Sequence, residues 1–390
     1  MPKTPVNLRR RAELEKRFQI HRRGTWVAGA AGLLGSWAVA CAPVSLPDGD
    51  RRVALRGTTE QVILPTYAEL RSRSADLSAR LDELANDPEA TDLAATRQAY
   101  LDVRAPLEEA LAFGFGPAEE LHSQAALDQS PLDTTKVDAE LASESELTPQ
   151  HLRTLGANKR GLHAIEYLLF PEDDPALEAA LLADDPAGER RRRFASAAGQ
   201  LVADGAQELW AAWEPQNGGY ARRFSEPGGP DSASASVQAG LDTLLNEAVV
   251  VSEVIANVKL GKPLGVTTGG QVDAAAQESE RAGASLSDMR SSLRGIRNVY
   301  FGAREEPAEP SLSTLVHAKS PSADLHARAA LAEAEAALLA VPEPFTQALE
   351  ESPETVRAAY DALKNLKRVL ATEVLSSLGA SLKFSDADGD

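Results

Sequence analysis

His163 and Glu166 stand three residues apart in Gly-Leu-His-Ala-Ile-Glu-Tyr-Leu-Leu-Phe, residues 161–170. On a helix that spacing puts an imidazole and a carboxylate on one face, a single turn apart. Their neighbours Leu162, Ile165, Leu168, Leu169 and Phe170 are apolar, so the helix is expected to be buried, where an ionised carboxylate is costly unless something pairs with it. The pair therefore calls for a cation, either a metal ion or a guanidinium such as Arg104 or Arg160. Imidazole and carboxylate suit iron, zinc or copper, but a closed site takes three or four ligands. Metals in helical bundles draw on Glu and His from facing helices, usually with Glu three residues before His; here the order is reversed.

Such a helix needs others around it, and the composition supplies them. Ala and Leu are abundant and β-branched residues are scattered, which favours helix over strand. From Thr58 to Ala85, Tyr67, Leu70, Ser74, Leu77, Leu81 and Leu84 recur in steps of three and four, the mark of a helix showing one face to a bundle; Pro65 is expected to kink its first turns. A second helix runs from about Thr91 to Leu111, with short candidates over 119–127 and 134–142. Thr148 caps a central helix that carries the His163/Glu166 pair and stops before Pro171. Residues 171–188, rich in Pro, Asp and Glu, form the best internal boundary. Further helices are expected over 190–213, 234–259, 273–300, 323–339 and 352–378, with a Gly- and Pro-rich loop over 214–232. The expected fold is all-α, two tandem four-helix-type bundles, residues 58–187 and 188–390.

Beyond the pair itself, Gly-x-His-x-x-Glu followed by Tyr-Leu-Leu-Phe resembles the defining motif of the imelysin-like family, bacterial envelope proteins grouped with an insulin-cleaving membrane peptidase and with iron-regulated proteins. Three more stretches agree in order: Tyr100 to Pro117, with Arg104, Pro106, Glu108 and Phe-Gly-Phe-Gly-Pro; Ser292 to Gly302; and Leu378 to Asp390. The resemblance covers most of the chain after about residue 58 and implies the same two-bundle architecture. It also implies that Glu108, with Glu109 beside it, and Asp128 complete a metal shell with His163 and Glu166. Leu111 stands where the resemblance implies a Glu, which leaves that shell a ligand short.

The N-terminus has its own chemistry. The chain holds one cysteine, Cys41. Before it come a basic region, an apolar run from Trp26 to Ala40 too short for a comfortable membrane span, and Ala38-Val39-Ala40, the layout of a bacterial lipoprotein signal. Cleavage at residue 40 would leave Cys41 to carry the lipid, palmitate among its acyl chains, with residues 41–57 as a tether; two or three acyl chains anchor stably. By similarity to other Gram-negative lipoproteins, with no aspartate after Cys41, the expected address is the periplasmic face of the outer membrane. The formal net charge is −18, and the first forty residues carry eight Lys or Arg against two Glu, so without them the chain stands at −24. That field repels nucleic acid and attracts cations.

Other motifs are weaker. A metallopeptidase needs a Lewis acid, an activated water and a carboxylate base, yet there is no His-Glu-x-x-His, and His122, His151, His317 and His326 lack ligand spacing. No Gly-x-Ser-x-Gly occurs. Asp386, Asp388 and Asp390 fall short of a calcium loop, Arg190 to Arg193 read as the solvated start of a helix, and Trp210, Trp213 and Tyr220 read as core. The functional expectation is an envelope lipoprotein that binds a metal ion or small ligand, acting in iron uptake beside iron-transport components. The alternatives are a metallopeptidase and a partner-binding scaffold with a vestigial site.

Overall fold

Helix forms over most of the stretches whose apolar residues recur in steps of three and four. The computed structural model describes residues 48–88, 93–170, 175–214, 216 and 219–382, and among them there is no strand. The all-α expectation thus holds. Cys41, the leader before it and the acidic C-terminal residues 383–390 lie outside the described residues.

The chain enters through α1 (Asp48–Thr58) and continues through a π-helical turn, Thr59–Ile63, into α2 (Leu64–Asn86). Pro65 follows that turn directly, and because it has no N–H to give to the carbonyl four residues back, the widened register falls there. The expected tether over 41–57 is therefore helical from Asp48 onward. The reason is packing: Ala54 and Leu55 are buried, and Gly240 lets Leu55 come so close that a Cβ on the glycine would lie 2.9 Å from Leu55 Cδ2.

Next come α3 (Leu93–Ala110), a 3₁₀ turn at Leu111–Phe113, and short helices α4 (Pro117–Glu120), α5 (Ser123–Asp128), α6 (Thr134–Ala142) and α7 (Pro149–Arg153). The central helix expected from Thr148 to Phe170 is broken. Thr148 does cap α7, accepting from the His151 N–H, but only α8 (Leu162–Leu169) carries the motif. Gly161 separates the two pieces with φ +81°, a value few side chains tolerate.

After α9 (Pro175–Leu182), α10 (Pro186–Trp213) packs along α2 and also covers α8. The boundary expected near residue 187 falls just before α10, whose packing partners α2, α5, α7 and α8 all precede it in the chain. Arg190 is not simply solvated: its guanidinium donates to the carbonyls of Glu140, Leu141 and Ser145, tying the end of α6 to α10. The loop expected over 214–232 contains α11 (Tyr220–Ser225), and Tyr67, Phe113, Phe115, Trp213, Tyr220 and Phe224 form one aromatic cluster.

The second half holds α12 (Val237–Glu253), which widens into a π segment at Val254–Gly261, then α13 (Ser285–Phe301), α14 (Leu312–Lys319), α15 (Pro321–Ala340), α16 (Phe345–Glu351), α17 (Pro353–Val369) and α18 (Leu375–Leu378). The helix expected over 273–300 starts at Ser285, because the residues before it are drawn into the site described below. Helices α15, α17, α12 and α13 pack on one another, and α13 lies along α3. At that seam a Cβ on Gly295 would meet the Glu109 carbonyl at 2.3 Å. The described residues form a single unit.

Candidate functional site

The glycine of the motif sets the geometry. A Cβ at Gly161 would lie 2.6 Å from the Leu127 carbonyl oxygen, so its absence lets the start of α8 reach the end of α5. His163 is thereby delivered to Asp128. His163 Nδ1 lies 3.0 Å from Glu166 Oε2, and Nε2 lies 3.3 Å from Asp128 Oδ1 without hydrogen-bond geometry. Burial disfavours the imidazolium, but Asp128 and the hydrogen bond to Glu166 outweigh it, so the imidazole titrates above its ordinary value. The other oxygen of Glu166, Oε1, accepts from the Ala282 N–H at 3.0 Å. The motif helix of the first half is thus closed by a loop of the second.

The cation that answers these acids is Arg104, 2% exposed on α3. It donates to Asp128 Oδ1 at 2.6 Å, to Asp288 Oδ2 at 2.7 Å and to Glu108 Oε1 at 3.1 Å. Burial alone would raise the Asp128 carboxyl, yet the Arg104 guanidinium holds it at about 2. A second cation, Lys259, donates to Glu108 Oε1 at 2.9 Å and to Glu278 Oε2 at 2.7 Å. Burial favours its neutral amine, but Glu108, Glu278 and Asp288 overcome that and keep it charged. Ser292 Oγ donates to Glu108 Oε2 at 2.5 Å, and Ser279 Oγ donates to Asp288 Oδ2 at 2.7 Å. Burial pushes the Glu108 carboxyl up against the opposing pull of Lys259. Tyr100 sits against this network with its hydroxyl buried and without a hydrogen-bond partner; burial, then the charge of Glu166, pushes its ionisation far up.

Two backbone irregularities serve the cluster. Lys259 rides on the π-helical segment that ends α12, a widened turn of the kind found where a helix must re-aim a side chain. Ser279 has φ +53°, an uncommon conformation for a residue with a Cβ, and it places its hydroxyl on Asp288.

All four residues singled out as metal ligands, His163, Glu166, Glu108 and Asp128, converge here. What surrounds them differs from a metal shell. Glu108 and Asp128 are engaged by Arg104 and Lys259, so the positive charge the carboxylates need comes from the chain itself. No group of three or more His, Cys, Asp or Glu among the described residues is disposed to hold a metal ion. The residues as placed do not fit a metal at this point. Glu109, named beside Glu108, points to the other flank of α3 and pairs with Arg294 at 2.6 Å.

Next to the Lys259 and Glu278 end of the cluster opens a cavity of about 280 Å³. Tyr67, Leu107, Leu111, Leu209 and Val251 are among its walls, and its polar lining comprises Lys259, Glu278, Glu247, Gln124 and Ser123. Leu111, at the position where an acid was expected, gives this cavity an apolar wall instead. The arrangement presents a mostly apolar chamber with a few polar groups in its wall, the Lys259–Glu278 ion pair among them, the pattern of a site for a small organic molecule.

Residues 63–370 match the family model described as imelysin, peptidase M75. The chain belongs to the imelysin family. Among relatives, iron-regulated protein A of Synechococcus elongatus is 27% identical over 327 residues, 82% of this chain and 85% of that one. Among solved structures, an iron-regulated protein A precursor from Parabacteroides distasonis is similar at a TM-score of 0.75 and 22% identity, covering 86% of this chain and 96% of that one. An imelysin-like protein from Psychrobacter arcticum gives a TM-score of 0.71 at 18% identity, covering 88% and 100%. At those identities the solved structures establish the imelysin fold alone.

Lys259, Glu278, Ser279 and Asp288 belong to the site without being singled out in the sequence, and Tyr100 enters there only as the start of a family-like stretch. Two signals were present. Lys259 continues the Val251 and Ile255 stripe at a step of four, a charged residue on a core face. Asp288 and Ser292 lie four apart within the helix expected over 273–300 and so share one face. The loop residues Glu278 and Ser279 left no periodic trace.

Proposed function

We propose that this imelysin-family chain is a lipid-anchored envelope protein that binds a small organic ligand at the junction of its two halves, in an iron-responsive system. The observation that carries the binding claim is the largely apolar cavity whose wall includes the Lys259–Glu278 ion pair. Glu278 is held below its ordinary range because Lys259 outweighs the burial that would raise it, so both charges persist at neutral pH. A ligand enters by burying apolar surface against Leu107, Leu111 and Leu209 and sets its polar end on those charges. The iron connection rests on the iron-regulated relative. The anchor rests on the Ala-Val-Ala-Cys pattern ending at Cys41, and the periplasmic face of the outer membrane remains the proposed address, with iron-transport components as proposed partners.

A bound metal is the second reading, and one observation favours it: His163 Nε2 is buried without a hydrogen-bond partner. Against it, Asp128, the carboxylate facing that nitrogen, is already paired with Arg104 at 2.6 Å. Proteolysis needs the same donors free and gains nothing from this geometry.

The test is binding of the neutral fluorescent probe N-phenyl-1-naphthylamine to the purified chain. Gly114 lines the cavity at φ −70°, and a Cβ there would meet nothing closer than 3.5 Å, so Gly114→Leu plugs the chamber without straining the backbone. Saturable probe binding, weakened at least tenfold by Gly114→Leu, is the expected result. Equal binding by both proteins overturns the cavity assignment. One equivalent of iron or zinc, lost in His163→Ala, would restore the metal reading.

A further inference from the structure

Helix α15 has two apolar faces, and the fold uses one of them. Its inner face packs on α13, α14 and α17, with Ala323, Ala327, Ala330, Leu331, Ala334 and Leu338 buried. On the opposite side Leu325, Ala329, Ala332, Ala336 and Leu339 recur in steps of four, three, four and three, and all five are exposed, so they form one stripe along the helix. Leu325 and Leu339, 64% and 67% exposed, are the two most exposed large hydrophobic side chains among the described residues.

The order of sizes in the stripe says what covers it. Read from either end it is Leu, Ala, Ala, Ala, Leu, symmetric about Ala332. A second α15 laid antiparallel across Ala332 therefore meets a matching surface, as a two-fold interface requires. The alanines let the backbones approach at the crossing, and Leu325 of each copy meets Leu339 of the other where the helices diverge. The flanking charges agree with that direction. Arg328, four residues before Ala332, and Glu335, three after it, lie on one side of the stripe with side chains 44% and 41% exposed. Antiparallel contact brings Arg328 of each copy beside Glu335 of the other. Both also touch their own chain, at Asp324 and Arg297, so as rim charges they steer the approach more than they strengthen it. On the other side His326 and Glu333 are turned to Glu373 and Asn365 of their own chain.

We propose that the outer face of α15 is a homodimer interface, occupied by the same face of a second copy of this chain running antiparallel. One helix pair stands at the low end of specific interfaces, below about 1,200 Å², so the dimer is weak in free solution. Chains confined to a surface by the proposed Cys41 anchor meet at a higher effective concentration. The interface needs neither the anchor nor the apolar cavity, so each assignment can fail without the others.

Sedimentation velocity of the purified chain, carried up to the millimolar range, tests this. Expected is a reversible dimer, weakened at least tenfold by Leu325→Glu or by Leu339→Lys and unchanged by Val53→Glu, which alters an exposed apolar residue of α1. All three positions are at the surface, so circular dichroism should report an intact fold in each. Mixing the Leu325→Glu and Leu339→Lys chains should restore a dimer, because one antiparallel contact regains leucine on leucine and the other becomes an ion pair. Mixing Leu325→Glu with Leu325→Lys should not. A chain that stays monomeric throughout, its face then left to a different protein, overturns the proposal. So does a dimer that both substitutions leave intact, or one that only the second mixture restores.

Discussion

Arg104 holds three carboxylates at once, so its removal should cost more than any other single truncation in the molecule. Arg104→Met would leave Asp128, Glu108 and Asp288 buried with one counter-charge fewer, a loss of about 3–5 kcal/mol measurable as a fall in the urea midpoint. The pH dependence follows from the same contacts. The Asp128 carboxyl titrates at about 2, below its unfolded value, so its contribution is complete above the unfolded value and disappears as pH falls towards 2. His163 behaves in the opposite sense. Its pKa is raised by Asp128 and Glu166 against the effect of burial, so the stability it adds is complete below the ordinary imidazole value and is lost as pH rises through the higher folded one. Urea midpoints measured from pH 5 to 9 should therefore decline on the alkaline side, and His163→Gln should flatten that decline. At this scale the sequence was informative about His163, Glu166, Glu108 and Asp128, because type and spacing on helices carry them. It was silent on Glu278 and Ser279, whose roles come from a loop folded back across the seam.

Helix pairs, not single side chains, place these groups. Gly161 permits α8 to touch the end of α5, and Gly295 permits α13 to lie against α3. Gly295→Ala would force a methyl into the Glu109 carbonyl, and overpacking of this kind costs about 1–3 kcal/mol. No residue of α13 lines the apolar cavity, so Gly295→Ala should lower the urea midpoint and leave N-phenyl-1-naphthylamine binding largely unchanged, whereas Gly114→Leu should weaken the naphthylamine. Urea melts and naphthylamine titrations of the two variants distinguish these outcomes. Most helices were legible from their three-and-four spacing, including α2, α3, α6, α10, α12, α15 and α17. The break at Gly161 was not, since the apolar steps Leu155, Leu162 and Leu169 continue across it. The late start of α13 was hidden as well: Ala-rich residues 274–276 favour helix locally, but the next residues give their backbone and side chains to Glu166 and Asp288.

In the whole molecule, the two halves share one charged junction and one long packed seam, with α1 of the first half lying on α12 of the second. Cooperative unfolding is the consequence. Far-ultraviolet circular dichroism and tryptophan fluorescence should trace a single coincident transition in urea; two separated transitions would show that the halves stand alone. The division expected near residue 187 rests on a Pro-rich acidic linker, and the helix that follows it, α10, folds back on α2. The central claim is that the junction neutralises its own acids with Arg104 and Lys259 and keeps its binding capacity for an organic molecule. Native mass spectrometry of the chain purified from its own cells tests that claim most directly. The account predicts an organic adduct of one per chain that is absent from Gly114→Leu; an adduct with the mass of a metal ion, retained in Gly114→Leu and lost in His163→Ala, would contradict it.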